Sequence, residues 1–141
     1  MEHTFSPRIS ATLGHLMGEG ATASRIADAV VAVCQDIEKS LVPIVGYGGV
    51  AALYLRSLYL ARMAHAWIDC PLAASMPRAD FSSFRILAAQ QTEEDALAGG
   101  REVLETFSQL LVSLIGFPLS QQLLEPVWIQ PATGQTVQDA P

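Results

Sequence analysis

The sequence predicts an all-α protein, a single-domain bundle of four to five helices. Apolar residues recur at spacings of three and four along several stretches, which is the periodicity of helices. No stretch alternates apolar and polar residues with the period of a strand, and no Asn-Gly or Asp-Gly hairpin turn occurs. Glycines and prolines punctuate the helical stretches. A length of 141 residues suits one domain, which can bury roughly two thirds of its unfolded surface.

The composition indicates association. Half of the residues (50%) are hydrophobic and 16% are charged, against roughly a quarter charged in a typical soluble domain. Such a chain either packs its apolar surface unusually well or covers part of it with another molecule. We therefore expect a homo-oligomer, most simply a homodimer.

The charge distribution argues against nucleic-acid binding. The formal net charge is -6, and residues 56–85 carry four arginines against two acids. Arginines spread over that length do not form the clustered basic face that a phosphate backbone requires. Cys34 and Cys70 lack zinc-site spacing and a nearby set of histidines, so no metal or cofactor is predicted.

The sequence also predicts a cytoplasmic protein that does not bind a membrane. The N-terminus lacks a basic segment followed by an apolar run, so no secretory signal is expected. Arg56, Arg62 and Glu105 interrupt the long apolar stretches before these reach roughly 20 residues.

The N-terminal part divides at residue 22. Residues 1–21 are predicted to be flexible, with residues 1–8 mobile and room for a short helix at residues 9–17. Thr22 or Ser24 then caps a helix, which ends just before Pro43 because proline lacks a backbone N–H and disfavours helical geometry at the preceding residue. The apolar face of this helix comprises Ile26, Val30, Val33, Ile37 and Leu41.

The stretch GYGGVAALYLRSLYLARMAHAWI, residues 46–68, is predicted to be the central element. It opens with three glycines and then runs apolar on every side, which is typical of a helix surrounded by other helices. We expect this helix to span residues 49–67. A glycine-rich helix N-terminus can bind an anion, but this one lacks the Lys and Ser/Thr of a phosphate-binding loop, so a tight corner between helices is the better interpretation.

The C-terminal part contains the clearest amphipathic helix, at residues 93–115. Thr92 caps it, and its first turn carries three acids that the helix dipole favours. A shorter helix capped by Asp80 precedes it at residues 81–91, and Gly116 ends the long one. Ser120 is predicted to cap a last turn. The bundle domain is therefore expected to span residues 22–129, followed by a disordered tail at residues 130–141.

One polar cluster stands out in the central stretch. Arg62, His65 and Asp69 share one sector of a helical wheel because they are three and four residues apart. Asp69 could orient His65 in a triad with Cys70 as nucleophile, or His65 could be a phosphorylatable histidine. Alternatively, the three side chains cap the helix C-terminus. We favour the capping role, because triad members normally converge from separate elements, and no catalytic residue is predicted.

Two segments resemble a group of known proteins. The runs GGVAALYLRSLYLA and LETFSQLLVSLIGFPLSQQLL are similar to those of uncharacterised small all-helical bacterial proteins associated with two-component signalling genes. The resemblance covers residues 41–128 and implies an accessory or adaptor role in signalling. It brings no catalytic motif.

The sequence as a whole favours a helical protein-interaction module, an adaptor or regulator that self-associates and meets a signalling protein. One alternative is a sensor that holds a small apolar ligand between helices, and another is a histidine phosphotransfer-like protein centred on His65. Candidate interface or pocket residues are Tyr54, Tyr59, Met63, Gly100, Phe107 and Trp128.

Overall fold

The computed structural model describes residues 5–68 and 78–128. Within these two ranges the chain forms five α-helices and no strand, which confirms the predicted all-α bundle. The predicted tail at residues 130–141 lies outside them. The helices are α1 (Ser6–Met17), α2 (Ala23–Ala61), α3 (Ser82–Ala89), α4 (Glu93–Ile115) and α5 (Phe117–Leu124).

The bundle is organised around the contact between α2 and α4, the most extensive in the fold. Helix α3 packs mainly on α2, α1 lies against both α2 and α4, and α5 folds back onto α4. One continuous hydrophobic core results. Its largest fully buried side chains come from four of the helices and include Ile9, Leu13, Ile37, Leu41, Tyr54, Leu104, Leu111 and Leu124.

Two adjacent glycines in α4 let other parts of the chain approach its backbone closely. A Cβ atom at Gly100 would lie 2.6 Å from Cγ2 of Val30 on α2, and one at Gly99 would overlap the ring of Trp67. Both glycines are buried. Gly100, a predicted candidate interface or pocket residue, is therefore covered by a side chain of the same chain.

The break in α2 lies three residues later than predicted. The helix was expected to end before Pro43, but it continues through Pro43 to Gly46, whose φ of 77° and ψ of 169° interrupt the helical geometry. Pro43 is exposed, so the carbonyl that loses its N–H partner can be hydrated by water. The backbone of Gly46 falls in a region that is essentially accessible only to glycine. The kink therefore belongs to Gly46, and Pro43 only weakens the turn before it.

Beyond the kink, α2 is not surrounded by other helices as predicted. Residues 47–61 bury one face, and the opposite face is exposed. The helix also ends at Ala61 rather than near residue 67. The buried face consists of Val50, Ala51, Tyr54, Ser57, Leu58 and Ala61.

Residues 5–17 pack into the bundle, so the prediction of a mobile segment at residues 1–8 is wrong for residues 5–8; residues 1–4 lie outside the described residues. Phe5 is buried, and α1 begins directly after it and buries Ile9 and Leu13. The Ser6 hydroxyl donates a hydrogen bond of 2.5 Å to the Glu105 carboxylate on α4. Helix α1 is thus longer than the residues 9–17 that the sequence suggested, because its apolar face completes the core.

The predicted N-caps of α2 and α4 and the predicted end of α4 are confirmed. The Thr22 hydroxyl accepts a hydrogen bond of 3.2 Å from the Arg25 backbone at the start of α2, and Thr92 caps α4 in the same way. Helix α4 ends at Gly116, which has a φ of 90°. Ser120 does not begin the last helix; it lies inside α5, where its hydroxyl donates a hydrogen bond of 2.7 Å to the Gly116 carbonyl.

Candidate functional site

The predicted polar cluster at Arg62, His65 and Asp69 does not share a helix. Arg62 is the C-cap of α2, and its backbone N–H bonds to the Leu58 carbonyl at 2.9 Å. His65 is half-buried in the turn that follows, and Asp69 lies outside the described residues. Because α2 ends at Ala61 rather than at residue 67, the three side chains do not share a helical face. A phosphotransfer histidine on a regular helix is likewise not what the fold presents at His65.

Tyr54 and Phe107 line an internal apolar cavity between α2, α4 and the start of α3. The cavity has a volume of about 10 Å³, which is room for a single water molecule. The Phe81 ring closes it and meets the Tyr54 ring edge to face, with centroids 4.8 Å apart. The sensor alternative needs a pocket for a whole ligand, and this cavity does not provide one. The other lining residues are Cys34, Ile37, Val50, Val103 and Leu104.

The Cys34 thiol at this cavity is chemically quiet. Burial, reinforced by the negative charge of Glu38, raises its pKa from 9.0 to about 12. Because the thiolate is the nucleophilic form, a thiol with this pKa is inert at neutral pH. Cys70, the nucleophile of the catalytic alternative, lies outside the described residues.

The remaining candidate interface residues occupy separate places. Gly100 is buried against Val30, as described above. Trp128 is buried at the C-terminal end of the bundle, where its ring lies 5.8 Å from that of Phe5. Phe5 also stacks on Phe117 at 5.4 Å. Trp128 therefore closes the bundle against α1 and α5, which is the stapling role that the sequence suggested beside partner binding.

Tyr59 on α2 and Met63 in the turn that follows the helix are 45% and 76% exposed. Gly48 and Ala52 are exposed on the same side, because helix positions separated by three, four and seven residues share a face. The half-buried Leu55 and the exposed Arg56 flank this line of residues on its two sides. We call these six residues the exposed stripe.

The exposed stripe includes apolar side chains that the described residues leave uncovered. Two of their eight exposed large hydrophobic side chains belong to it: Tyr59 and Met63. Sequence reasoning singled out Tyr59 and Met63 but not the stripe, because a helix that is apolar all round does not reveal which side is covered. The arginines at positions 56 and 62 were the available signal for an exposed side.

The charge around the exposed stripe is positive. No Asp or Glu occurs between residues 40 and 68. The Arg56 guanidinium lies 5.5 Å from the centroid of the Tyr59 ring, a distance at which the cation and the ring face attract each other.

A polar groove lies on the other side of α2, where α3 begins. Its charged groups are largely paired: Arg85 contacts Asp28 at 3.3 Å, and Arg78 lies 3.9 Å from Glu38. Hydrogen bonds from Ser82 lower the pKa of the Asp80 carboxyl below its ordinary value. Because the two arginines of the groove balance the charges of Glu38 and Asp80, the groove offers no concentrated field to a ligand.

Two properties of the described residues bear on metal binding and on membrane insertion. In those residues, no group of three His, Cys, Asp or Glu side chains could hold a metal ion. One helix, α2, is long and apolar enough to cross a membrane, and only 33% of its most apolar 18-residue window is buried. The core helix of a soluble protein can meet the same criterion.

Comparison with known proteins gives no relative: no family model, curated protein or solved structure matches this chain.

Proposed function

We propose that this protein is a helical interaction module that self-associates through the exposed stripe and acts as an adaptor. The observation that carries the proposal is the exposed side of α2 beyond the kink, where Tyr59 on the helix and Met63 in the turn after it are both exposed. Exposed apolar patches of this kind usually mark contact surfaces, and aromatic side chains contribute strongly at such contacts.

Self-association is tested by the mass in solution, measured by light scattering after size exclusion over a wide concentration range. The expected result is a concentration-dependent dimer of twice 15.1 kDa. The double variant Tyr59→Ser/Met63→Ser should remain monomeric and keep its helical circular dichroism, because neither side chain belongs to the core.

A matched control removes apolar side chains of similar exposure elsewhere. Ile86 on α3 and Leu114 on α4 are 59% and 62% exposed. The variant Ile86→Ser/Leu114→Ser should dimerise as the parent does. A strictly monomeric parent, or equal loss of the dimer in both double variants, would reject the exposed stripe as the contact surface.

The signalling part of the proposal is supported by the sequence resemblance, which implies a component of a two-component system as the partner. Titration of purified histidine kinases and response regulators from the same organism, followed by calorimetry, tests it. Binding to the dimer but not to Tyr59→Ser/Met63→Ser is expected. If none of them binds, the signalling role fails and self-association is unaffected.

We also propose a cytoplasmic location, with the exposed stripe covered by protein rather than by lipid. Cell fractionation tests this directly. Recovery of the protein in the membrane fraction, and its release by detergent but not by salt, would contradict the proposal and assign the apolar length of α2 to the bilayer.

A further inference from the structure

The kinked turn of α2, residues 42–49, has little hold on the core. None of its side chains is buried, although Leu41 before it and Val50 after it are. Pro43 removes one helical hydrogen bond, and three of the eight residues are glycines, which lose the most backbone freedom when a helix forms. Few buried contacts together with exposed or missing backbone hydrogen bonds are typical of a segment that opens before the rest of a protein unfolds.

One side chain from outside α2 contacts both sides of the kink. The Arg78 guanidinium lies 3.9 Å from the carboxylate of Glu38, on the part of α2 before Gly46. Its central carbon lies 4.0 Å from the centroid of the Tyr47 ring, directly after Gly46. A single cation thus joins the two parts of α2 across the kink.

Both contacts of Arg78 are attractive. Glu38 is 13% exposed, so its charge is shielded from water and attracts the guanidinium more strongly than a fully solvated carboxylate would. The distance to the Tyr47 ring is well within the roughly 6 Å at which a cation over an aromatic face is attracted. Arg78 itself is 61% exposed, so both contacts can break without disturbing the core.

We infer that residues 42–49 open as a local unit while the flanking parts of α2 stay packed, and that Arg78 is the latch that keeps this unit closed. Each flanking part has its own anchor in the core, since Leu41 before the turn and Tyr54 after it are buried. Opening therefore breaks only the contacts of the turn itself. This conformational change occurs within one chain and does not rest on the proposed self-association.

Native-state amide hydrogen exchange, followed by NMR at increasing urea concentrations, tests the opening. The amides of residues 44–49 should exchange through a local route, with a small opening free energy that hardly depends on urea. The buried positions Val33 and Tyr54 should exchange only on global unfolding. If residues 44–49 exchange with the same free energy and the same urea dependence as those two positions, the local unit is wrong.

Removal of the guanidinium tests the latch. Arg78→Gln should accelerate the exchange of residues 44–49 about three- to tenfold, which corresponds to the loss of one ion pair and one cation–ring contact. Arg85→Gln is the matched control, because Arg85 is similarly exposed and pairs with Asp28 before the kink only. That pair stays formed when the turn opens, so the control should leave the exchange of residues 44–49 unchanged. No acceleration in Arg78→Gln, or equal acceleration in Arg85→Gln, would overturn the latch.

A double-mutant cycle tests whether Arg78 acts through the ring of Tyr47. Tyr47→Leu keeps an apolar side chain but loses the ring face, so it should accelerate the exchange of residues 44–49 in the parent and much less in the Arg78→Gln background. Arg78→Lys keeps the charge near Glu38 but loses the planar guanidinium, so its effect should be intermediate. Fully additive effects of Tyr47→Leu and Arg78→Gln would show that the two side chains act independently and would overturn the latch.

Discussion

Replacement of Gly100 by alanine tests how tightly α4 packs on α2. The new Cβ would lie 2.6 Å from Cγ2 of Val30, against the roughly 3.5–4.0 Å of an unstrained carbon contact. Val30 is fully buried and β-branched, so it has essentially one rotamer in a helix and cannot turn away. The backbones of the two helices have to separate.

Two opposing effects decide the size of the change. Alanine favours a helix interior over glycine by about 1 kcal/mol. Overpacking of a core costs about 1–3 kcal/mol, and the short distance to a stiff neighbour places this site in the upper half of that range. The variant Gly100→Ala should therefore lower the free energy of unfolding by about 1–2 kcal/mol.

The measurement is urea denaturation at one fixed protein concentration, because self-association also contributes to stability. Gly14→Ala is the matched control: Gly14 lies in the exposed side of α1 and no atom lies within 4 Å of its added Cβ. That variant should be stabilised by up to about 1 kcal/mol. The difference between the two variants isolates the contact with Val30.

A double-mutant cycle tests the named contact. Val30→Ala should be destabilising in the parent, since it opens a cavity, but should cost about 1–2 kcal/mol less in the Gly100→Ala background. If Gly100→Ala is as stabilising as Gly14→Ala, or if the cycle shows no coupling, the close packing of α4 on Val30 is wrong.

Further predictions concern single residues. Cys34 should resist thiol reagents at pH 8 until the protein unfolds. The free energy of unfolding should fall as the pH rises from 9.0 towards 12. The reason is that the unfolded chain releases the thiol proton at the ordinary pKa of 9.0, whereas the folded protein holds it to about 12. Cys34→Ala should remove that decline in urea denaturation. The NMR titration midpoint of Asp80 should lie below 3.8. The contribution of its carboxylate to folding stability is therefore complete above pH 3.8 and is lost on acidification. Ser82→Ala should move the midpoint back towards 3.8. Gly46→Ala should destabilise by about 1–3 kcal/mol in thermal unfolding, because its φ of 77° excludes a side chain, and an unchanged melting temperature would reject the kink. Thr92→Ala should cost about 1 kcal/mol by loss of the cap on α4, and Thr92→Ser should restore most of it.

The features that sequence reasoning located well are those set by neighbouring residues. The caps at Thr22 and Thr92 depend on a hydroxyl and a backbone N–H three residues away, and the end of α4 depends on the conformational freedom of Gly116. These interactions do not need the rest of the fold. The bounds of α4 were therefore predictable from the sequence alone.

The features it missed depend on distant packing. Pro43 is a strong local helix breaker, yet the helix continues past it because that side of α2 faces water. The sequence also extended α2 to residue 67, whereas the chain leaves the helix at Ala61 and Trp67 packs against Gly99 on α4. No local pattern could reveal that contact.

The exposed stripe was also missed because local patterns do not reveal distant packing, here the absence of a covering helix. Tyr59 and Met63 are apolar, and a single sequence does not say whether another helix of the same chain covers them. The opposite error occurs at Gly100, which the sequence placed among the candidate interface residues although Val30 of the same chain covers it. A glycine in a helix indicates that another group packs close to its backbone, but the sequence does not show which group that is.

The kink at Gly46 has a consequence for how this protein tolerates mutation. The direction of residues 47–61 relative to the first part of α2 depends on one backbone conformation that only glycine adopts readily. Every missense change in that codon, even the smallest, therefore alters the angle at which the second part of the helix is presented. In a saturation library selected for dimer formation, position 46 should retain glycine almost alone, while the exposed proline three residues earlier should accept many replacements.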